Sequence, residues 1–162
     1  HDRIEALSLS DDIAVMRAGQ IVEIGTPKSI YFDSEQQFVA DFIGRANLIP
    51  GKIASAENAG AVIDTPMGPM TCHKEVASPS GKAVTVCVRP EFIQVVQGDQ
   101  GKGQNIFRGR VESLVFVGDA YEGEIRVGET RLITRIEPTA SVKEGDDILL
   151  HIDPGQCSVL LR

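Results

Sequence analysis

Apolar positions in the first 44 residues fall at helical spacing or in short paired runs, whereas after about residue 47 they alternate within short segments. The two textures predict two parts of different make-up. In the first part, Asp2 with Glu5 three residues later predicts a capping box for a short helix over residues 4–9. Residues 13–17 and 20–24 are two apolar runs around Ala18-Gly19, the pattern of a tight hairpin. Thr26-Pro27 reads as an N-cap followed by proline at the first helical position, where its missing N–H costs nothing. Ser34 with Gln37 predicts a second capping box, for a helix that sets Phe38, Val39, Phe42 and Ile43 on one side and stops at Gly44. That apolar side needs a surface to pack against.

The second part predicts strands over 48–54, 61–65, 84–88, 92–96, 107–117, 121–127, 131–136, 148–152 and 158–161, separated by Gly, Pro, Asp and Ser. In the third of these, Val84, Val86 and Val88 share one face and Thr85, Cys87 and Arg89 the other, the period of a half-buried strand. Many short strands with frequent turns point to a mainly β fold, a barrel or sandwich, rather than to βαβ units. No internal repeat stands out in the sequence. The aromatic residues Phe42, Phe92 and Phe116 sit in apolar runs and are expected in the core.

Composition narrows the function. The 162 residues are 42% apolar, enough for a core, and carry a net charge of −7. That balance speaks against a nucleic-acid partner, whose phosphates are neutralised by Lys and Arg. No run reaches the roughly 18–20 apolar residues needed to cross a bilayer, so no direct membrane insertion is expected. Cys72, Cys87 and Cys157 are odd in number, widely separated and without C-x-x-C spacing. They suggest neither a disulfide framework nor a metal site, and suit a reducing cytoplasm. Glu122 with Glu124 and Asp146 with Asp147 lack an accompanying His or nucleophile and are expected on solvated edges or turns. Cys72-His73 is adjacent rather than spaced for one metal. Arg89 and Glu91 flank a proline that interrupts the strand ladder, and are expected to form a structural ion pair locking a strand corner.

Two stretches carry a family resemblance. The first is His1-Asp2 followed by Glu5-Ala6-Leu7, Asp11, Ile13-Ala14-Val15-Met16, Gly19 and Gly25-Thr26-Pro27. It resembles the end of the nucleotide-binding domain in ATP-binding subunits of ABC importers, where a His-Asp pair forms the switch loop. The second is Val86-Cys87-Val88-Arg89-Pro90-Glu91-Phe92-Ile93, which resembles the V-x-V-R-P-E-x-I segment of the TOBE domain, the transport-associated OB-like domain of those subunits. Gly109-Arg110-Val111, Phe116-Val117-Gly118-Asp119, Gly145-Asp146 and Pro154 follow in that family's order. A Trp that many members carry shortly before the proline is absent.

The resemblance implies an OB-like fold for the β part, with residues 1–44 as the tail of the nucleotide-binding domain and 45–162 as the regulatory domain. It implies that His1 is the switch-loop histidine, whose imidazole contacts the γ-phosphate of ATP in the intact parent. Ser80-Gly81-Lys82 only superficially resembles a phosphate loop, since Val76 stands where its first Gly is required and Ala83 where Ser or Thr is. With no glycine-rich loop, magnesium carboxylate or signature motif, the chain itself is expected to be no enzyme and to hold no cofactor, ATP and magnesium belonging to the parent. The implied role is regulation and dimerisation of an importer subunit. Its partners would be a second copy, the ATPase domain and the membrane subunits, at the cytoplasmic face of the membrane. The competing role is a domain that senses a small solute or an inhibitor protein. Polyamine or ferric iron comes first as cargo, with phosphonate, sulfate and sugar open.

Overall fold

The computed structural model describes residues 2–34, 36–57, 60–74, 76, 80–96 and 103–161. Its first part comprises α1 (Arg3–Leu9), β1 (Ile13–Arg17), β2 (Gln20–Gly25), α2 (Pro27–Phe32) and α3 (Gln37–Ile43). Asp2 caps α1 by accepting from the backbone N–H groups of Ile4 and Glu5 at 2.8 and 3.3 Å, and Thr26 caps α2 by accepting from Ser29 N. Ala18 and Gly19, both at positive φ, turn β1 back on β2, with Arg17 paired to Gln20.

One expected cap is not formed. The N-cap of α3 is Gln36, without a side-chain bond, while Ser34 Oγ donates to Glu23 Oε2 at 2.8 Å and so ties the chain to β2. The helix's apolar side divides as well. Val39 and Ile43 pack with Ile13, Val15 and Ile30 in a small core, but Phe42 is 49% exposed, against the expectation that it is buried.

The second part comprises β3 (Asn47–Glu57), β4 (Gly60–Thr65), β5 (Gly68–Cys72), β6 (Ala83–Val88), β7 (Ile93–Val96), β8 (Ile106–Phe116), β9 (Tyr121–Val127), β10 (Thr130–Ile136), β11 (Asp147–Ile152) and β12 (Ser158–Leu161). Two 3-10 turns, Pro90–Phe92 and Pro154–Gln156, precede β7 and β12. Strand β5 was not expected from its sequence, and Phe92 belongs to a turn rather than to a strand. The fold is mainly β and OB-like, built from two five-stranded antiparallel sheets in the orders β12-β6-β3-β4-β5 and β10-β9-β8-β11-β7. Among the described residues, eighteen buried strand residues from both sheets, together with Cys157, form one core.

Contrary to the reading of the sequence, the two sheets are copies of one another. Replacing β3, β4, β5, β6 and β12 by β8, β9, β10, β11 and β7 converts the first order into the second. The match extends to residues: 47–53, Asn-Leu-Ile-Pro-Gly-Lys-Ile, superposes in sequence on 105–111, Asn-Ile-Phe-Arg-Gly-Arg-Val. Each copy has a register shift at the same place, between Ile53 and Ser55 and between Val111 and Ser113. Gly81 N donates to Ile53 O at 2.7 Å, and Gly145 N to Val111 O at 2.8 Å. The fifth strands are exchanged: β7, which follows the first copy, pairs with β11 of the second, and β12, which follows the second, pairs with β6 of the first.

Two asparagines lock the copies together. Asn47 Nδ2 donates to Ile133 O at 2.8 Å while its Oδ1 accepts from Ile133 N at 2.7 Å. In the other copy Asn105 Nδ2 donates to Thr71 O and its Oδ1 accepts from Thr71 N, both at 2.7 Å. Each amide thus stands in for one residue of a strand ladder, and satisfies backbone groups that would otherwise be buried without partners.

Candidate functional site

The helical part and the β part meet around Arg89, which is 4% exposed. It lies between β6 and the first 3-10 turn, where Pro90 ends the ladder and the guanidinium turns toward the helices. Its Nη1 donates to Ala40 O at 2.9 Å and to Gly44 O at 3.0 Å. A third, longer bond from the same nitrogen reaches Arg45 O at 3.3 Å. Nη2 donates to Tyr31 O at 2.8 Å, and Nε reaches the same oxygen at 3.3 Å. The last carbonyls of a helix have no partners within it, so this cation satisfies the end of α3 and the end of α2 together and complements both dipoles.

Arg89 Cζ also lies 4.2 Å from the centroid of the Tyr31 ring. Tyr31 Oη donates to Glu91 Oε1 at 2.8 Å. Burial, and then the hydrogen bond and the charge of Glu91, push the Tyr31 phenol up to about 12. A few ångströms away Lys74 Nζ donates to Phe32 O at 2.9 Å and to Ser158 Oγ at 3.0 Å, and pairs with Asp33 Oδ1 at 2.6 Å. Residues 31–33 are therefore held by side chains from β6, β12 and the segment after β5.

Helix α3 itself sits on the outer face of the first sheet. Ala40 packs with Cys87 and Leu160, with Ala46 and Leu48 at the margin, and Thr85 Oγ1 donates to Gln37 Oε1 at 3.3 Å. This cover explains why residues 84–88 are buried on both faces rather than on one. Arg45 Nη1 pairs with Glu122 Oε2 of β9, fastening the end of the helical part to the second copy as well.

Among the residues singled out from sequence, His1 lies outside the described residues. Arg89 and Glu91 form no ion pair among the described residues. Tyr31 stands between them, its carbonyl and ring on Arg89 and its hydroxyl on Glu91. The reason is spatial: helix carbonyls reach Arg89 from above the strand corner, and the phenol reaches Glu91. Glu122 is engaged by Arg45, and Asp146 Oδ2 accepts from Lys143 N at 2.9 Å. Cys72, Cys87 and Cys157 are free and buried. Cys72 and Cys157 meet across the seam of the first sheet, where their hydrogen bond and then burial push the Cys157 thiol up. Phe116, expected in the core, is 57% exposed. The described residues contain no group of three or more His, Cys, Asp or Glu placed to hold a metal ion, and no described helix is long and apolar enough to cross a membrane. Tyr31, Lys74 and Asn47 were missed, since the partners of each lie far away in the chain.

Residues 86–160 match the TOBE domain family model. The chain is 34% identical over 99% of its length, and 44% of the relative's, to the spermidine/putrescine import ATP-binding protein PotA of Pseudomonas fluorescens (strain Pf-5). It is 35% identical to the protein of that name from Clostridium acetobutylicum, over 100% of this chain and 43% of the relative. The chain thus spans less than half the length of these curated relatives. In three dimensions it resembles the cytoplasmic molybdate-binding protein ModG, solved with molybdate bound. The TM-score is 0.65 and the identity 16%, with 72% of this chain and 96% of that one covered, a likeness of fold. On the TOBE match, the relatives and the OB-like architecture, the chain belongs to the ATP-binding subunits of ABC importers, corresponding to their C-terminal part.

Proposed function

We propose that residues 45–162 are the regulatory and dimerisation domain of an importer's ATP-binding subunit, and that residues 1–44 close that subunit's nucleotide-binding domain. In this reading His1 is the switch-loop residue at the γ-phosphate, and the ATP and magnesium it serves are bound by preceding parts of the parent. The subunit pairs with a second copy and with membrane subunits at the cytoplasmic face, and the names of its relatives favour a polyamine as cargo.

The observation that carries the reading is the junction at Arg89. A regulatory domain can bias a motor only if the two parts move as one or have two defined arrangements. One buried guanidinium on the ends of two helices couples them in that way, with Lys74 and the Arg45–Glu122 pair beside it. The test is a chimera in which this chain replaces the matching part of the Pseudomonas fluorescens relative, assayed for ATP hydrolysis and spermidine uptake in membranes. The chimera is expected to support both. Arg89→Ala is expected to keep nucleotide binding while uptake per ATP hydrolysed falls several-fold. Unchanged coupling in that variant would sink the regulatory reading.

A further inference from the structure

The two copies differ at the seam where each sheet curls its edges together. In the first copy the edges are β5 and β12, and His73 N, just after β5, donates to Pro154 O at 2.9 Å. Cys72 ends β5 and Cys157 immediately precedes β12, and both are 0% exposed in the same core. Asn105 lies against both sides of this seam, its Oδ1 accepting from Thr71 N at 2.7 Å and its Nδ2 donating to Cys157 Sγ at 4.0 Å. The two thiols share a hydrogen bond. In the second copy the register places Thr134 at the position of Cys72 and Ile93 at that of Cys157. There the Thr134 hydroxyl donates to Ile93 O at 2.9 Å, a closure without sulfur. A hydroxyl can therefore close such a seam, and the first copy instead sets two oxidisable side chains against each other.

We propose that Cys72 and Cys157 are a redox modification site, which a hydroperoxide converts into a disulfide that fastens the seam of the first sheet. The site is independent of the role proposed above. With the seam closed, the Cys157 thiol is held protonated and unreactive. Reaction therefore begins when β12, an edge strand of four residues paired with β6, opens locally. The freed Cys157 thiolate attacks one oxygen of the peroxide, the O–O bond breaks, and an alcohol leaves with the proton that the thiol released. The sulfenic acid so formed returns to Cys72 when the strand recloses. The Cys72 sulfur attacks it, the S–S bond forms, the S–O bond breaks, and water leaves with the second proton. Two thiols and one hydroperoxide give a disulfide, an alcohol and a water; with hydrogen peroxide the alcohol is a second water. Cys87 is kept out by the sheet, since it lies under α3 on the opposite face, beside Leu160 and Ala40. The bond also fixes the start of β12, and with it Leu160, on which α3 is seated.

The experiment treats the native full chain with hydrogen peroxide, maps its peptides by mass spectrometry without reduction, and records its melting temperature. The expected product joins the peptides of Cys72 and Cys157 with the loss of two hydrogens. Its melting temperature is expected to be higher by about 5–10 °C, because the bond closes a long loop, and dithiothreitol should reverse both changes. Cys87→Ala is expected to keep both. Cys72→Thr, which copies the seam of the second sheet, is expected to fold and to give neither the link nor the rise. In that variant Cys157 should stop at the sulfenic acid, which dimedone captures. A native chain that gives no link, a link through Cys87, or a link only in urea overturns the site. So does a rise in melting temperature that persists in Cys72→Thr. A Cys72–Cys157 bond that lowers the melting temperature overturns it as well, since the closed seam then does not accommodate the bond.

Discussion

A guanidinium with 4% exposure is stable only when its N–H groups are matched by acceptors, and at Arg89 every acceptor is a backbone carbonyl from another element. Arg89→Met keeps the stem and strands the carbonyls of Tyr31, Ala40 and Gly44. The expected loss is about 2–4 kcal/mol in urea unfolding of the chain. Arg89→Lys keeps the charge without the planar fork and is expected to recover less than half of it. If both variants unfold like wild type, the junction contributes nothing to stability. The neighbouring phenol gives a pH signature. Because the folded state raises Tyr31 above its ordinary value to about 12, its contribution to stability is complete below about pH 10 and is lost between there and about pH 12. Absorbance titration of the folded chain should show one phenol ionising late. Tyr31→Phe should remove that step.

Elements repeat because a few positions are fixed by sterics and hydrogen bonds while the rest are exchangeable. A Cβ on Gly51 would meet Ile63 Cγ2 at 2.5 Å and Asp64 O at 2.9 Å, and one on Gly109 would meet Ile125 Cγ2 at 2.6 Å and Arg126 O at 3.2 Å. Both glycines let a neighbouring strand cross closely at the register shift. Gly51→Ala and Gly109→Ala should each cost about 1–3 kcal/mol by forcing β4 or β9 away. A melt in which only one variant is destabilised would contradict the equivalence of the two copies. The same division explains what the sequence revealed. Strong alternation, as at Val84, Val86 and Val88, marked most strands, and Thr26-Pro27 and Ala18-Gly19 marked a cap and a turn. The repeat stayed hidden because Ile49 answers to Phe107 and Ile53 to Val111, swaps that a core tolerates if volume is compensated, so that identities such as Asn47 with Asn105, Gly51 with Gly109 and Ile63 with Ile125 are scattered among unlike residues. Strand β5 stayed hidden because Gly68-Pro69 reads as a turn, and only pairing with β4 makes it extended. Arg89 drew attention for the wrong partner, since its acceptors lie 44 to 58 residues away on backbone groups that leave no trace in side-chain spacing.

At the scale of the molecule, the exchange of β7 and β12 means that neither copy is complete without the strand that follows the other. Domains that share strands lose independent stability, so the β part should unfold in one transition rather than two. Ending the chain at Asp153 separates the possibilities. That cut removes β12, with Leu160 from the seat of α3 and Cys157 from the core, and leaves one side of β6 unpaired. If the copies were independent, damage would fall on β8–β11, the strands nearest the cut in sequence. The exchanged architecture places it instead on the first sheet and on α3, with a loss of about 3–5 kcal/mol, comparable to the deletion of one or two large buried side chains. Amide hydrogen exchange distinguishes them: protection should collapse in β6 and in α3 while β8 and β9 lose least. The reverse order would mean that the second copy folds with its own strands and that the pairing of β12 with β6 is incidental to stability.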